Sequence, residues 1–206
     1  MPRSKLSPID SARRRNPDIN MTNRSELGTV AVLGADTLGR RFAEAACRAG
    51  YRTILEDFRA DVLERAHLEV RRTLGSAEFI ARLSSARTVE DACRQADLVI
   101  DSTVDDSELK LEIFTLLDKF ARPGAVCATI AASISIAELG AITYRPELCV
   151  GLRLAEHAAA PELLTIVRAP QTSEEAVRAL LDFARRAQWR SAVEFEAGPA
   201  SAATGS

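Results

Sequence analysis

Residues 29–39 read TVAVLGADTLG, and the chain continues RRFAEAACRAG to residue 50. A β-branched run, a turn bearing glycine and then apolar residues at helical spacing spell strand, turn and helix. Leu38, Phe42, Ala46 and Cys47 share one helical face, and Gly50 is placed to stop the helix. A turn of this kind seats a dinucleotide pyrophosphate when it is tight, when its backbone can approach the phosphates, and when the helix packs closely on the strand. Gly34 and Gly39 supply the first and third conditions. The middle position, where the backbone nears the phosphates, is Asp36.

That carboxylate leaves two readings open. As an N-cap ahead of Thr37, Asp36 satisfies N–H groups that a phosphate would otherwise take, and cofactor binding is weak. Turned outward, it leaves the helix N-terminus and its partial positive charge to the ligand. Facing a phosphate at about 4 Å, with an effective dielectric near 20, it would cost roughly 4 kcal/mol before salt and relaxation. About 20 residues onward an acid should meet the ribose hydroxyls. Glu56 and Asp57 close the second apolar run, YRTILED, at that place. They should repel a 2′-phosphate and so favour NAD, a preference that Arg59 complicates. NAD is therefore the expected cofactor, weakened by Asp36, with Gly34, Asp36, Thr37, Leu38, Gly39 and Asp57 as its contacts.

Outward from this unit the alternation repeats. ADVLERAHLEVRRTL and VEDACRQA read as helices, DLVID (97–101) as a strand and DSELKLEIFTLLDKFA as an amphipathic helix that ends before Arg122-Pro123-Gly124. AVCATIA, LCVGLRL, LLTIVRA and RSAVEF read as strands, with helices SIAELGAIT and SEEAVRALLDFARRAQ among them. Repeated β–α alternation with β-branched strands predicts an α/β Rossmann-like, doubly wound, mostly parallel sheet in a single domain over residues 28–196. Residues 1–27 are expected to be a disordered basic tail: Arg3, Lys5, Arg13, Arg14 and Arg15 outnumber Asp10 and Asp18, and no apolar stretch marks a secretory signal. Met21, just ahead of the first strand, competes with Met1 as the start. Residues 197–206 are expected to be a second disordered tail.

The 206 residues suffice for one good core. A net charge of −2 gives no case for nucleic acid or an anionic membrane surface. No apolar run nears the roughly 18 residues that span a bilayer. Cys47, Cys93, Cys127 and Cys149 are scattered without a CxxC pair, and only His67 and His157 are available, so no metal site is expected. The cysteines read as small buried hydrophobes in a reducing cytoplasm.

The stretches VAVLGADTLGRRFAEAACRAGYRTILEDFRADVLERA, ADLVIDSTVDDSELKLEIFTLLDKFARPGAVCATIAASISIAEL and YRPELCVGLRL, in that order, resemble the NAD-binding domain of the 3-hydroxyacyl-CoA dehydrogenases across about residues 29–195. The resemblance places the family's substrate-binding serine on Ala132, with Ser133 beside it, and the catalytic histidine on Arg153. The glutamate that orients that histidine falls on Thr165, and the asparagine and proline of the catalytic turn fall on Glu156 and His157. Asp105, with Asp106, matches a region near the cofactor; their simpler role is to cap the helix that starts around Ser107. The helical segment after the second strand, which helps hold coenzyme A in the family, is shorter here. The family's C-terminal helical domain, which carries much of the cleft and dimer interface, begins near where this chain stops.

Hydroxyacyl oxidation needs a base to take the hydroxyl proton as hydride leaves, and an arginine stays charged. Arg153 is expected to pair with Glu156 or Asp101, or to grip an anion with its planar fork. His157 is a weak candidate for a substitute base. Three functions follow. The first is a non-catalytic domain that binds a dinucleotide or acyl-CoA. The second is an oxidoreductase with altered or borrowed residues. The third is an assembly module in a homo- or hetero-oligomer that covers the face left bare.

Overall fold

The computed structural model describes residues 28–155 and 162–196. The expected tails, and with them Glu156 and His157, lie outside the described residues. Eight strands form one sheet: β1 (Thr29–Leu33), β2 (Arg52–Glu56), β3 (Leu83–Ala86), β4 (Leu98–Asp101), β5 (Val126–Thr129), β6 (Cys149–Ala155), β7 (Leu163–Arg168) and β8 (Arg190–Phe195). Their order is β3-β2-β1-β4-β5-β6-β7-β8, and every adjacent pair is parallel except β6 with β7. The helices are α1 (Thr37–Arg48), α2 (Ala60–Leu74), α3 (Ala77–Ile80), α4 (Val89–Cys93), α5 (Ser107–Phe120), α6 (Ile136–Ala141) and α7 (Glu174–Arg186). No helix among the described residues is long and apolar enough to cross a membrane.

Each face of the sheet is covered by its own set of helices. Val30, Val32, Leu55, Ile100, Leu164 and Ile166 pack with Phe42, Leu63 and Phe183 from α1, α2 and α7. Ala31, Leu33, Val99 and Cys127 pack on the other face with Cys93, Phe114 and Leu139 from α4, α5 and α6. Burial on both faces explains why these strands read as near-continuous apolar runs. Under α7, Tyr51 stacks on Phe183 with centroids 5.8 Å apart, and Trp189 meets Phe42 edge-on at 5.4 Å. All four cysteines are buried and unpaired.

Two elements escaped the sequence reading. Residues LSSA carry no apolar alternation, yet they pair with β2 as the edge strand β3, with Ser84 and Ser85 exposed. The four-residue helix α3 has no fully buried side chain and only half-buries Phe79 and Ile80, too short a pattern for periodicity to announce it.

The topology fixes where a ligand fits. After β1 the chain builds outward to β2 and β3, then crosses back to β4 on β1's other side. The carboxyl ends of β1 and β4 therefore flank the point where strand order reverses, which is where open α/β sheets bind ligands.

Candidate functional site

The turn between β1 and α1 is held from both sides. Gly34 sits at φ +87°, a region that side chains rarely adopt, and a Cβ there would lie 3.0 Å from the Thr103 nitrogen. A Cβ on Gly39 would lie 1.8 Å from the Gly34 carbonyl oxygen, so only glycine lets α1 sit this close to β1. The Ser102 hydroxyl donates to the carbonyls of Leu33 (2.8 Å) and Gly34 (3.2 Å), clamping the turn to the end of β4.

Asp36 is the N-cap of α1, and its carboxylate accepts the Gly39 N–H at 3.0 Å. The capping reading describes this geometry. It is not a complete blockade, because a cap satisfies only part of a helix N-terminus. The N–H groups of Thr37 and Leu38, at the first two helical positions, find no acceptor among the described residues. Asp36 and Thr37 are exposed and Leu38 is half-buried, which places this start of α1 at the surface beside a carboxylate. The cradle thus suits a diphosphate in shape and carries one opposing charge.

At the end of β2 the two acids are used differently from each other. Glu56 is buried, and that burial, with the charges of Asp57 and Asp101, pushes its carboxyl up to about 7. Asp57 accepts the Ala35 N–H (3.1 Å) on one oxygen and the Arg59 N–H (2.9 Å) on the other. The Arg59 guanidinium adds a contact to each oxygen, at 3.1 and 3.3 Å. Burial alone would raise the Asp57 carboxyl, but the Arg59 and Ala35 donors outweigh it and hold it below the usual range. The expected ribose acid is thus tied to the turn itself.

Sequence reading missed the cluster at the end of β4. Lys110 and Asp101 are both fully buried and meet at 2.8 Å. The second Lys110 contact is the Thr103 carbonyl at 3.1 Å. The Thr129 hydroxyl donates to Asp101 at 2.7 Å, and the Thr103 hydroxyl donates to its other oxygen at 2.6 Å. One signal was available: Lys110 precedes Ile113, Phe114 and Leu117 on the buried face of α5, where a lysine needs a partner.

Asp105 and Asp106 divide the labour expected of both. Asp106 caps α5 by accepting the Leu109 N–H at 2.9 Å. Asp105 does not cap; it reaches the turn after β5 and accepts the N–H groups of Ala132 (3.0 Å) and Ser133 (3.2 Å) and the Ser133 hydroxyl (2.7 Å). Burial opposes ionisation of Asp105, but these donors and the Lys110 charge hold its carboxyl below the usual range. Ala132 and Ser133 are both exposed.

Further along the edge, Arg153 on β6 lies directly opposite Thr165 on β7. The two positions share one face of the sheet. Arg153 does not pair with Asp101, which is taken by Lys110; among the described residues it pairs with Glu194 on β8, and both side chains are more than half exposed, while Glu156, the other expected partner, lies outside those residues. Register explains the choice: Thr165 is flanked by Arg153 on one side and Ala192 on the other, and Glu194 is two residues along β8 on the same face.

A family model described as the 3-hydroxyacyl-CoA dehydrogenase NAD binding domain matches residues 29–197. The mitochondrial hydroxyacyl-coenzyme A dehydrogenase of Sus scrofa is 28% identical over 173 residues, which cover 76% of this chain and 55% of that protein. The 3-hydroxybutyryl-CoA dehydrogenase of Bradyrhizobium diazoefficiens is 29% identical over 166 residues, covering 75% of this chain and 56% of that one. The chain thus spans about half the length of these curated relatives. Among solved structures, the 3-hydroxybutyryl-CoA dehydrogenase from Escherichia coli K12 superposes with a TM-score of 0.73 at 28% identity, over 82% of this chain and 38% of that chain. The (S)-3-hydroxybutyryl-CoA dehydrogenase from Ralstonia eutropha gives 0.76 at 21% identity, over 84% of this chain and 65% of that one, a likeness of fold alone.

Proposed function

The chain belongs to the family of 3-hydroxyacyl-CoA dehydrogenase NAD-binding domains, and from that premise we propose that it binds a nicotinamide dinucleotide at the β1–α1 turn but does not by itself oxidise a hydroxyacyl-CoA. The observation that carries the binding half is the open N–H pair of Thr37 and Leu38, poised over the positive-φ turn at Gly34. Those two donors and the N-terminal end of α1 receive the diphosphate. Asp36 stays on the Gly39 N–H and lowers the affinity by its charge without filling the cradle.

The non-catalytic half rests on what faces the ligand across the edge. A bound nicotinamide would supply a hydride acceptor or donor. The chain must then supply a group that takes or returns the hydroxyl proton. At the position that the resemblance assigns to the family's histidine stands Arg153, a guanidinium with no acceptor to offer, engaged by Glu194. Opposite it, Thr165 offers a hydroxyl in place of a carboxylate. Ala132 has no hydroxyl for an acyl carbonyl, and the Ser133 hydroxyl is committed to Asp105. The reading is a domain that holds a dinucleotide, or an acyl-CoA alongside it, rather than one that turns it over.

Titration calorimetry and a turnover assay test both halves. Heat is expected with NAD or NADH, and Asp36→Gly should tighten binding by about tenfold, or ~1.4 kcal/mol. NADH should not be oxidised by acetoacetyl-CoA. No heat with any nicotinamide dinucleotide at millimolar concentration refutes the binding half. Turnover that vanishes in Asp57→Ala refutes the other and points to an active oxidoreductase with altered residues.

A further inference from the structure

In a site selective for NAD, the acid at the end of β2 offers free oxygens to the two ribose hydroxyls. A carboxylate has about four lone-pair sites. On Asp57 all four have donors: the Arg59 N–H and Nε on one oxygen, and the Ala35 N–H and Arg59 Nη2 on the other. The Asp57 side chain is 3% exposed and that of Arg59 53% exposed. The surface presented at the ribose end is therefore the guanidinium, not the carboxylate.

Arg59 is also braced. Its guanidinium carbon lies 5.4 Å from the centroid of the Phe58 ring, which is itself 77% exposed. Nε and one N–H of Nη2 are spent on Asp57, which leaves the Nη1 donors and the second Nη2 donor. A planar fork held by an acid on one edge and an aromatic ring beneath has little entropy left to lose on gripping a phosphate. Two other acids act on this arginine, Asp36 and Asp61, and Asp61 is itself paired with Arg65 at 3.2 Å.

Building on the dinucleotide reading above, we infer that Arg59 forms a subsite for a ribose 2′-phosphate, so that this domain accepts 2′-phosphorylated dinucleotides, NADP and NADPH, as readily as NAD and NADH. The acid that should repel such a phosphate is neutralised by the residue two positions on. The remaining donors of that residue, on a side chain 53% exposed, are left for the phosphate.

Titration calorimetry on the full chain, with NAD, NADP, 5′-ADP and 2′,5′-ADP, tests this. NADP is expected to bind within about threefold of NAD or tighter. Arg59→Ala should weaken NADP and 2′,5′-ADP by about tenfold or more while leaving NAD and 5′-ADP within about threefold. Arg59→Lys, which keeps the charge but loses the fork, should fall between. Unchanged melting temperatures across these variants would separate a ligand contact from a structural one. If NAD and 5′-ADP bind but the 2′-phosphorylated forms bind about thirtyfold more weakly, the Arg59 subsite is wrong and the dinucleotide site stands. Equal weakening of all four ligands in Arg59→Ala overturns the subsite as well. If none of the four binds, the dinucleotide reading falls and this inference falls with it.

Discussion

Around β1, β2 and β4 the carboxyl edge of the sheet is built from buried, mutually locked groups, whereas around β6, β7 and β8 the same edge is held by exposed ones. In the first region the Gly34 carbonyl leaves no room for a Cβ on Gly39, and Lys110 meets Asp101 with both side chains fully buried. In the second, Arg153 meets Glu194 with side chains 60% and 52% exposed. Both regions contain an arginine or lysine paired to an acid, so a count of ion pairs would rate them alike. Burial separates them. An ion pair out of water cannot lose one member cheaply, whereas an exposed one is screened and adds little. The half that shapes the β1–α1 turn is thus bound into the core, and the half around Arg153 and Thr165 is held at the surface.

The largest test of that contrast is Lys110→Met. It leaves Asp101 without its partner in a dry site, and denaturant unfolding should show a loss of about 3–5 kcal/mol. A loss below ~1 kcal/mol would erase the distinction between the two regions. Next comes pH. Glu56 sits at about 7 in the folded chain against a reference of 4.5, so the native state holds its proton more tightly than the unfolded state. Its contribution is fully present below pH 4.5 and is lost as pH rises through 7. The difference amounts to about 3 kcal/mol at ~1.4 kcal/mol per unit. Asp57 and Asp105, whose carboxyls are held low, act in the opposite sense and lose their contribution as pH falls through their folded values. Glu56→Gln should flatten the decline between pH 4.5 and 7, and an unaltered slope would remove Glu56 as its source. The smallest effect belongs to Arg153→Ala, which should change stability by less than ~1 kcal/mol in the same denaturation experiment. A larger loss would mean that the region around β6, β7 and β8 is locked as well.

The cradle was legible because its requirements are local. Gly34, Asp36 and Gly39 lie within one turn, and a capping aspartate at that spacing has a short reach and few alternatives. The strands of β1, β4, β5 and β6 were legible because burial on both faces forces apolar runs. Edge strand β3 was not, since an edge exposed on its outer side can be built from LSSA without any pattern. The Glu194 pairing of Arg153 was not legible for a related reason. Asp101 is in the right region of the sheet, but Lys110 had already claimed it, and only the register of β7 against β8 brings Glu194 within reach.

The sequence by itself determined the alternating α/β architecture, the strand–turn–helix with its displaced carboxylate, and the kinship with the dehydrogenase domain. All of these are written in spacing along the chain. The tertiary structure decided which donor each acid receives. Asp57 is consumed by Arg59 and Ala35, Asp105 by the turn at Ala132 and Ser133, and Asp101 by Lys110 and Thr129. The reason is physical: a carboxylate binds whichever N–H and O–H groups the fold delivers to within about 3 Å. For Asp57, Asp101 and Asp105 some of those groups come from segments 22, 28 and 27 residues away in the chain.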